Sequence, residues 1–395
     1  MKILLVHNFY QYRGGEDTYF LALKSLLESH KHTVITFSKD SRDIKDNITS
    51  KINLVIGLFY NKKVKKEFSE ILKREKPDIV HSNNLYPLIG LSIYKLSKDL
   101  NIPVIQTIHN YRMICPGGYL FNDEGKPCIH ASHGFSLRKI FQNCYRGSYI
   151  DSTILYLSQN YYKLLGTYSF VDYFLFPSQF ILNTHKNYIN ISLKKARVLP
   201  YFTQCKKMTK FTKGNDFFLF VGLFSHKKGV IELLKTFTTL PECKLIVIGD
   251  GPLKSDVLKF KKFKNIIIAG KKSKREVGKY MKEALCTIIP SKWYEVGPMV
   301  MYESLAYNTP VIVPRIGVFK EVVSEGQNGF FFKFNDFSNL RRKIKMVLEQ
   351  KNELFKNVPN ESLLEHKNTE AEYYRTLISI YKKALEEHFL QLELK

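Results

Sequence analysis

Two carboxylates with seven residues between them stand in Ser291-Lys-Trp-Tyr-Glu-Val-Gly-Pro-Met-Val-Met-Tyr-Glu-Ser-Leu-Ala306, at Glu295 and Glu303. The apolar run over residues 284–290 reads as a buried strand, and residues 301–307 read as a helix. Pro298 suits the start of that helix, where its missing N–H costs nothing. Glu295 is therefore expected on the loop above the strand end, with Gly297 beside it, and Glu303 on the second helical turn. Between them the backbone N–H groups of Met299 and Val300 face out of a helix N-terminus, a natural anion site. A carboxylate, an anion cradle and a second carboxylate suit a nucleoside diphosphate carrying a sugar. One Glu would take the ribose hydroxyls, the helix end the phosphates, and the other Glu the sugar. Two Glu at this spacing also occur on solvated helices, so the surrounding chain has to decide.

That chain reads as alternating strands and helices. Residues 2–7, 33–37, 77–81, 102–109 and 171–178 are short apolar runs of the kind found in fully buried parallel strands. A loop over residues 8–15 ends in Gly14-Gly15, and residues 16–30 carry helical apolar spacing at Tyr19, Leu23, Leu26 and Leu27. Strand, glycine loop, helix and strand make a right-handed βαβ unit. Ligands in such sheets sit at the carboxyl ends of the strands. Gly14 and Gly15 lie there and would let backbone approach a phosphate or a sugar; an ordinary tight loop is the alternative. His109 ends its strand at the same edge and reads either as structural or as an active-site residue. Residues 62–76 form a lysine-rich amphipathic helix, either solvated or in contact with an anionic membrane surface. A further helix is expected over residues 85–100.

The polar, lysine-rich stretch over residues 203–215 reads as a domain linker. Strands resume at residues 217–222, 244–249, 265–270, 286–290 and 310–314, with helices between them, as a second doubly wound sheet. The expected domains are 1–204 and 205–370, with a helix over 371–395 reaching back to the first. In the second domain, Gly222-Leu-Phe-Ser-His-Lys-Lys-Gly229 follows a strand and opens a helix, bringing Lys228 to the strand tips. Gly249-Asp-Gly-Pro252, with Gly251 at its centre, follows the next strand.

Composition narrows the partners. A chain of 395 residues exceeds what one core usually holds, so two domains are expected. The net charge of +25 suits phosphate-rich ligands or an anionic membrane surface. No run of basic and aromatic residues forms a stacking platform, so nucleic acid is not an expected partner. The N-terminus does not read as a signal peptide, and no run approaches the ~18 apolar residues of a spanning helix. A cytoplasmic protein, peripheral at the inner face of the membrane, is the expectation. Six cysteines give no disulfide framework. Cys115, Cys128 and Cys144, with His130 and His133, could hold a structural zinc, but they form no CxxC pair and free cysteines are the other reading.

Taken together, these motifs resemble a retaining glycosyltransferase of family 4, with the α/β GT-B fold: two Rossmann-like doubly wound parallel-sheet domains facing a central cleft. The resemblance spans residues 1–345. Its carriers include Arg13-Gly-Gly-Glu-Asp17, Gln106-Thr-Ile-His-Asn-Tyr-Arg112, Phe176-Pro-Ser178, Lys228-Gly229, Gly249-Asp-Gly-Pro252, Pro290-Ser-Lys-Trp-Tyr-Glu295, Glu303-Ser-Leu-Ala306 and Thr309-Pro-Val-Ile312. Residues 109–148 are similar to a subgroup of bacterial polysaccharide and O-antigen enzymes.

The resemblance implies a hexosyltransferase that uses a UDP- or GDP-linked sugar, a lipid-linked glycan acceptor, no cofactor and no divalent metal. It implies that Glu295 contacts the donor sugar and Glu303 the ribose. Lys228, Met299 and Val300 would neutralise the diphosphate, and His109 would touch the sugar or the acceptor. Gly14, Gly15, Gly222, Gly251 and Gly297 complete the implied donor site. Where the family has an arginine after the strand glycine, this chain has Leu223; Lys227, Lys271 and Lys272 are the basic residues at hand. Ala131 stands near the place of a second cysteine in the subgroup. Two other readings use the same fold: a non-catalytic nucleotide-sugar or partner-binding protein, which Leu223 favours, and a phosphorylase, for which no pyridoxal-phosphate lysine stands out.

Overall fold

In the computed structural model, which describes residues 1–45, 47–121, 128, 144–145, 147–186, 188–189, 191–204, 215–351 and 369–393, the chain forms two compact units. The first comprises Met1–Tyr201 with Glu370–Lys395, and the second Phe202–Thr369.

The first unit runs β1 (Lys2–Phe9), α1 (Gly15–Ser29), β2 (Thr33–Asp40), α2 (Ile48–Phe59), α3 (Lys62–Glu75), β3 (Ile79–Ser82), α4 (Ser92–Asp99), β4 (Val104–Thr107), α5 (Tyr149–Leu164), β5 (Tyr173–Phe176), α6 (Gln179–Lys186) and β6 (Ala196–Val198). Its six strands pair in the order β2-β1-β3-β4-β5-β6, all parallel. The chain changes direction across the sheet between β1 and β3. That switch point opens a crevice at the strand tips. The loops carrying Gly14, Asn83 and His109 all leave the sheet at this edge. β3, β4 and β5 are buried along their whole length, which is why they read as continuous apolar runs rather than alternating ones.

The second unit runs β7 (Asn215–Val221), α7 (Val230–Thr238), β8 (Lys244–Ile248), α8 (Lys254–Leu258), β9 (Ile266–Gly270), α9 (Lys274–Glu283), β10 (Ala284–Ile288), α10 (Met299–Ala306), β11 (Val311–Pro314), α11 (Phe319–Val322), β12 (Gly329–Phe332) and α12 (Phe337–Glu349). Its order is β12-β11-β10-β7-β8-β9, again all parallel. The period of two in β7 divides it between two cores. Phe218 and Phe220 pack with Leu233 and Phe237 of α7, whereas Phe217 and Leu219 pack with Met281 of α9. Each such buried side chain contributes roughly 1.5–3 kcal/mol. The direction switch falls between β7 and β10, so the loops after these two strands are neighbours.

A last helix, α13 (Glu370–Glu393), returns to the first unit. Tyr373, Leu377, Tyr381 and Ala384 are buried along one face at helical spacing. The hydroxyls of Tyr373 and Tyr19 hydrogen-bond, and Tyr173 Oη donates to Glu387 at 2.9 Å. Tyr381 Oη lies 2.5 Å from His81 Nδ1, and Thr107 Oγ1 lies 2.7 Å from His81 Nε2. Burial pushes the His81 pKa down to about 3, so the ring is neutral, one nitrogen donating and the other accepting.

Several elements differ from the reading of the sequence. The helix expected over residues 85–100 covers only Ser92–Asp99. Pro87 cannot donate to a helical ladder, and Leu85 instead accepts from the N–H groups of Ile89 and Gly90 in a turn. The strand expected over 102–109 ends at Thr107, so His109 sits on the loop beyond it. α2 and α5 have no counterpart in the sequence reading. Asn47 and Ser148 start them with side-chain caps on the N–H groups of Ser50 and Asp151.

Tyr381→Phe tests the docking of α13. It leaves one His81 nitrogen buried without a partner, so the first unit should lose about 1–3 kcal/mol. Denaturant unfolding followed by tyrosine fluorescence and circular dichroism should show a lower midpoint.

Candidate functional site

In the second unit the loops after β7 and β10 bring three side chains to one carboxylate oxygen. Lys228 Nζ lies 2.6 Å from Glu295 Oε1, Ser291 Oγ donates to the same atom at 2.5 Å, and Trp293 Nε1 donates to it at 3.0 Å. Lys228 also lies 5.6 Å from the centroid of the Trp293 ring. Glu295 is only 4% exposed. A buried carboxylate is tolerable here because it has a cation and two further donors. All three contacts fall on Oε1, and no described group hydrogen-bonds Oε2, which leaves that oxygen for a ligand.

The backbone explains why the cluster forms. The Lys292 N–H donates to the Lys227 carbonyl at 2.8 Å, and Lys292 Nζ pairs with Glu232 of α7 at 2.5 Å, so the two loops are stitched together. Gly229 makes the approach possible. It has φ of +66°, and a Cβ there would lie 2.1 Å from the Pro290 carbonyl oxygen. No other residue type fits both demands.

Beyond Glu295 the chain passes Gly297 and Pro298 into α10. The N–H groups of Met299 and Val300 find no acceptor among the described residues, while the next N–H, of Met301, bonds the Pro298 carbonyl. The first turn of α10 carries no acidic side chain to compete for an anion. Glu303, on the second turn, is half-buried. Burial pushes its carboxyl up to about 7, with the Lys274 ammonium partly offsetting the shift.

The glycines of this unit divide by role. Gly249 has φ of +155°, and a Cβ there would lie 1.9 Å from the Gly222 carbonyl oxygen; at Gly251 it would lie within 2.8 Å of the Phe224 nitrogen. These two glycines let the loops after β7 and β8 pack closely. Gly222 itself has room for a Cβ, so its position matters as backbone against Gly249. Leu223, at the position where the family resemblance implies an arginine, is half-buried with its side chain against Gly251. Lys271 is exposed near Asp250, and Lys272 pairs with Glu276 at 3.4 Å.

Gly14, Gly15 and His109 belong to the first unit. Gly14 caps α1, its N–H donating to Asp17 Oδ2 at 2.9 Å, and a Cβ on it would meet nothing within 4 Å, so the space beside the loop is open. Gly15 is the first residue of α1 and is exposed. His109 is buried with both nitrogens engaged, Nδ1 at 2.5 Å from Tyr201 Oη and Nε2 at 2.8 Å from Asn83 Oδ1. Asn83 Oδ1 can only accept, so Nε2 carries the proton and Nδ1 accepts from the tyrosine. Burial, then His7 and His81 nearby, hold its pKa well below the usual histidine range. A neutral, fully bonded ring orients its loop more readily than it transfers a proton.

Several polar residues here were not singled out from sequence. Ser291 and Trp293 hold Glu295, Asn83 and Tyr201 hold His109, and Asp17 joins His7 Nε2 at 2.9 Å to the Gly14 cap. Beside the glycine loop, Asn110 Nδ2 donates to Tyr10 Oη at 3.1 Å and reaches both Glu16 oxygens at 3.3 Å. Burial pushes Glu16 up to about 8, the Asn110 hydrogen bond opposing it. The Gly-x-x-Asp capping pattern at Gly14 was the one readable signal.

Among the described residues no group of three or more His, Cys, Asp or Glu side chains could hold a metal ion. Cys115 is buried and Cys144 half-buried, and burial, then Cys115, push the Cys144 thiol up to about 11. His130 and His133 lie outside the described residues.

The chain matches two family models, Glycosyltransferase Family 4 over residues 13–204 and Glycosyl transferases group 1 over residues 203–361. It is 26% identical over 351 residues to an uncharacterised glycosyltransferase of Methanocaldococcus jannaschii, covering 87% of each chain. It is 24% identical over 363 residues to an uncharacterised 42.6 kDa protein in the cps region of Klebsiella pneumoniae, covering 84% of this chain and 90% of the other. The solved structure of Anabaena HepE in complex with UDP superimposes with a TM-score of 0.64 at 15% identity, covering 97% of this chain and 100% of HepE.

The Glu303 carboxyl should make the second unit sensitive to pH. Its folded pKa of about 7 lies above the ordinary 4.5, so between these values the native state holds a proton that the unfolded chain has released. Stability is untouched below about pH 4.5 and falls as pH rises toward 7, by roughly 1–3 kcal/mol. Glu303→Gln should remove that decline and raise the Tm above pH 7, measured by calorimetry across pH 5–8 in the absence of ligand.

Proposed function

We infer that this chain, which belongs to the family 4 glycosyltransferases with the GT-B fold, moves a hexose from a nucleoside diphosphate sugar to a lipid-linked or growing glycan of a bacterial surface polysaccharide. The observation that carries the reading is the convergence of Lys228, Ser291 and Trp293 on Glu295 Oε1, followed along the chain by the N–H groups of Met299 and Val300, which no described residue accepts from. A sugar hydroxyl donating to Glu295 Oε2 would fix the donor's hexose. The diphosphate would lie on the N-terminus of α10, with the Lys228 ammonium as its cation. Ribose hydroxyls would donate to Glu303.

Negative charge grows on the diphosphate as the glycosidic bond breaks. Groups already aimed at that charge act most strongly in the transition state. Lys228 and the helix end could then do the work that a divalent metal does in other sites. The resemblance of the motifs implies retention of anomeric configuration. HepE was solved with UDP, which makes UDP the first base to try, and the cps-region relative supports a surface-polysaccharide acceptor. Among the described residues no helix is long and apolar enough to cross a membrane. We place the chain peripherally, on the cytoplasmic face, where a lipid-linked acceptor would be reached. Leu223 favours a second reading, a protein that binds nucleotide sugar without turnover, because one diphosphate cation is missing there.

Thermal-shift measurements with UDP, GDP, ADP and CMP test the donor site. One nucleoside diphosphate should raise the Tm, equally with and without EDTA. No shift with any of them would remove the transferase reading and move a partner-binding role ahead. Turnover is tested separately. Glu295→Ala and Lys228→Ala should each lower kcat by about 100-fold or more while the fold persists. Full transfer activity in Glu295→Ala would overturn the assignment, and nucleotide binding with no transfer to any glycan acceptor would support the non-catalytic reading.

A further inference from the structure

The proposal that follows rests on the peripheral-membrane reading above and identifies the surface that would make the contact. Helices α2 and α5 lie side by side in the first unit. Tyr162 Oη donates to the Phe59 carbonyl at 3.0 Å, and the Phe59 and Tyr161 rings meet at 5.6 Å. Each helix turns an apolar stripe to solvent. On the first, Ile52 and Ile56 stand one turn apart and are each more than half exposed, and Tyr60, just past the helix end, is half exposed. On the second, Ile150, Leu157 and Leu164 recur every seven residues, two helical turns, so they fall on one line. Leu164 is 87% exposed, and Leu165 beside it is exposed as well.

A helix on the surface of a globular protein ordinarily turns polar side chains outward. Here α2 contains no acidic residue, and α5 contains only Asp151. The rim of the stripe is basic. Lys65 Nζ stands 4.3 Å from the centroid of the Tyr60 ring, and Lys62, Lys63 and Lys66 are exposed on the same helix. That helix, α3, cannot itself insert, because Val64, Phe68 and Leu72 of its apolar face are buried in the unit. Of the two readings offered for residues 62–76, a solvated helix or a membrane contact, the second is thus altered. Their lysines supply charge, and the neighbouring helices supply the apolar face.

We propose that the α2–α5 face docks on an anionic lipid bilayer. Its aliphatic stripes enter the boundary between headgroups and acyl chains, and the α3 lysines meet the lipid phosphates. Apolar stripes bordered by lysines and tyrosines match the chemistry of that interface, and a neutral protein partner would leave the lysines unpaired.

Flotation of the full chain with mixed phosphatidylglycerol–phosphatidylcholine vesicles, compared with pure phosphatidylcholine vesicles, tests the proposal. The wild-type chain should float with the anionic vesicles, and less so as salt rises. Ile56→Asp and Leu164→Asp should each weaken binding about tenfold, whereas Leu164→Trp should keep it. Circular dichroism and the nucleoside diphosphate thermal shift should be those of the wild type in all three. Failure of the wild-type chain to float, or wild-type flotation in both Asp variants, would overturn the proposal. A wild-type dimer that the Asp variants convert to monomers, without vesicle binding, would assign the face to a second copy instead. Loss of the nucleotide shift with flotation intact would remove the donor-site reading and leave this surface standing.

Discussion

The second unit depends on one adjacency. β7 and β10 are neighbours in space although nearly seventy residues apart in the chain, and the direction of the fold reverses between them. The Lys228–Glu295 pair of the candidate site hangs on the two loops that leave these strands. Lys228 comes from one loop, Glu295 from the other, and their contact at 2.6 Å exists only because the strands pair. The cost of burying a carboxylate explains the rest of the local design. Ser291 and Trp293 join Lys228 on a single oxygen, so the charge is satisfied while the second oxygen stays available.

The two carboxylates of the motif sit in different electrostatic settings. Glu295 has a lysine and two neutral donors fixed against it. Glu303 has burial with only the Lys274 charge to offset it, and its carboxyl is pushed up to about 7. A group in that state is held at a cost to the native fold, and such costs concentrate at functional sites. A ligand that donated hydrogen bonds to the carboxylate would relieve it. The same logic sets the first unit apart. His81 and His109 are buried, neutral and bonded at both nitrogens, so they rigidify the strand tips and leave proton transfer to other groups.

The last helix shows how chain order and spatial order part company. Residues 370–393 follow the second unit in sequence but bury Tyr373, Leu377 and Tyr381 in the first. The tyrosine hydroxyls find partners on α1 and β3, elements from the beginning of the chain. The apolar surface left open lies elsewhere in the same unit, on α2 and α5, where no described element covers it.

By itself the sequence determined the alternation of buried strands and helices and the break over residues 203–215, and it singled out Glu295, Glu303, Lys228 and the α10 N-terminus as candidates for one ligand site. These are local properties: apolar period, turn residues, and spacing along one helix. Tertiary structure alone decided the pairing of Lys228 with Glu295 and the roles of Ser291 and Trp293, since strand neighbours cannot be read from strand order. It also decided that Gly229 and Gly249 serve backbone contacts of about 2 Å to a would-be Cβ, which depend on a carbonyl from a distant loop. It shortened the helix sought over 85–100 and moved His109 off its strand. It packed the apolar face of α3 inward and left that of α2 outward, because burial depends on which neighbours the fold supplies and not on a helix's own periodicity.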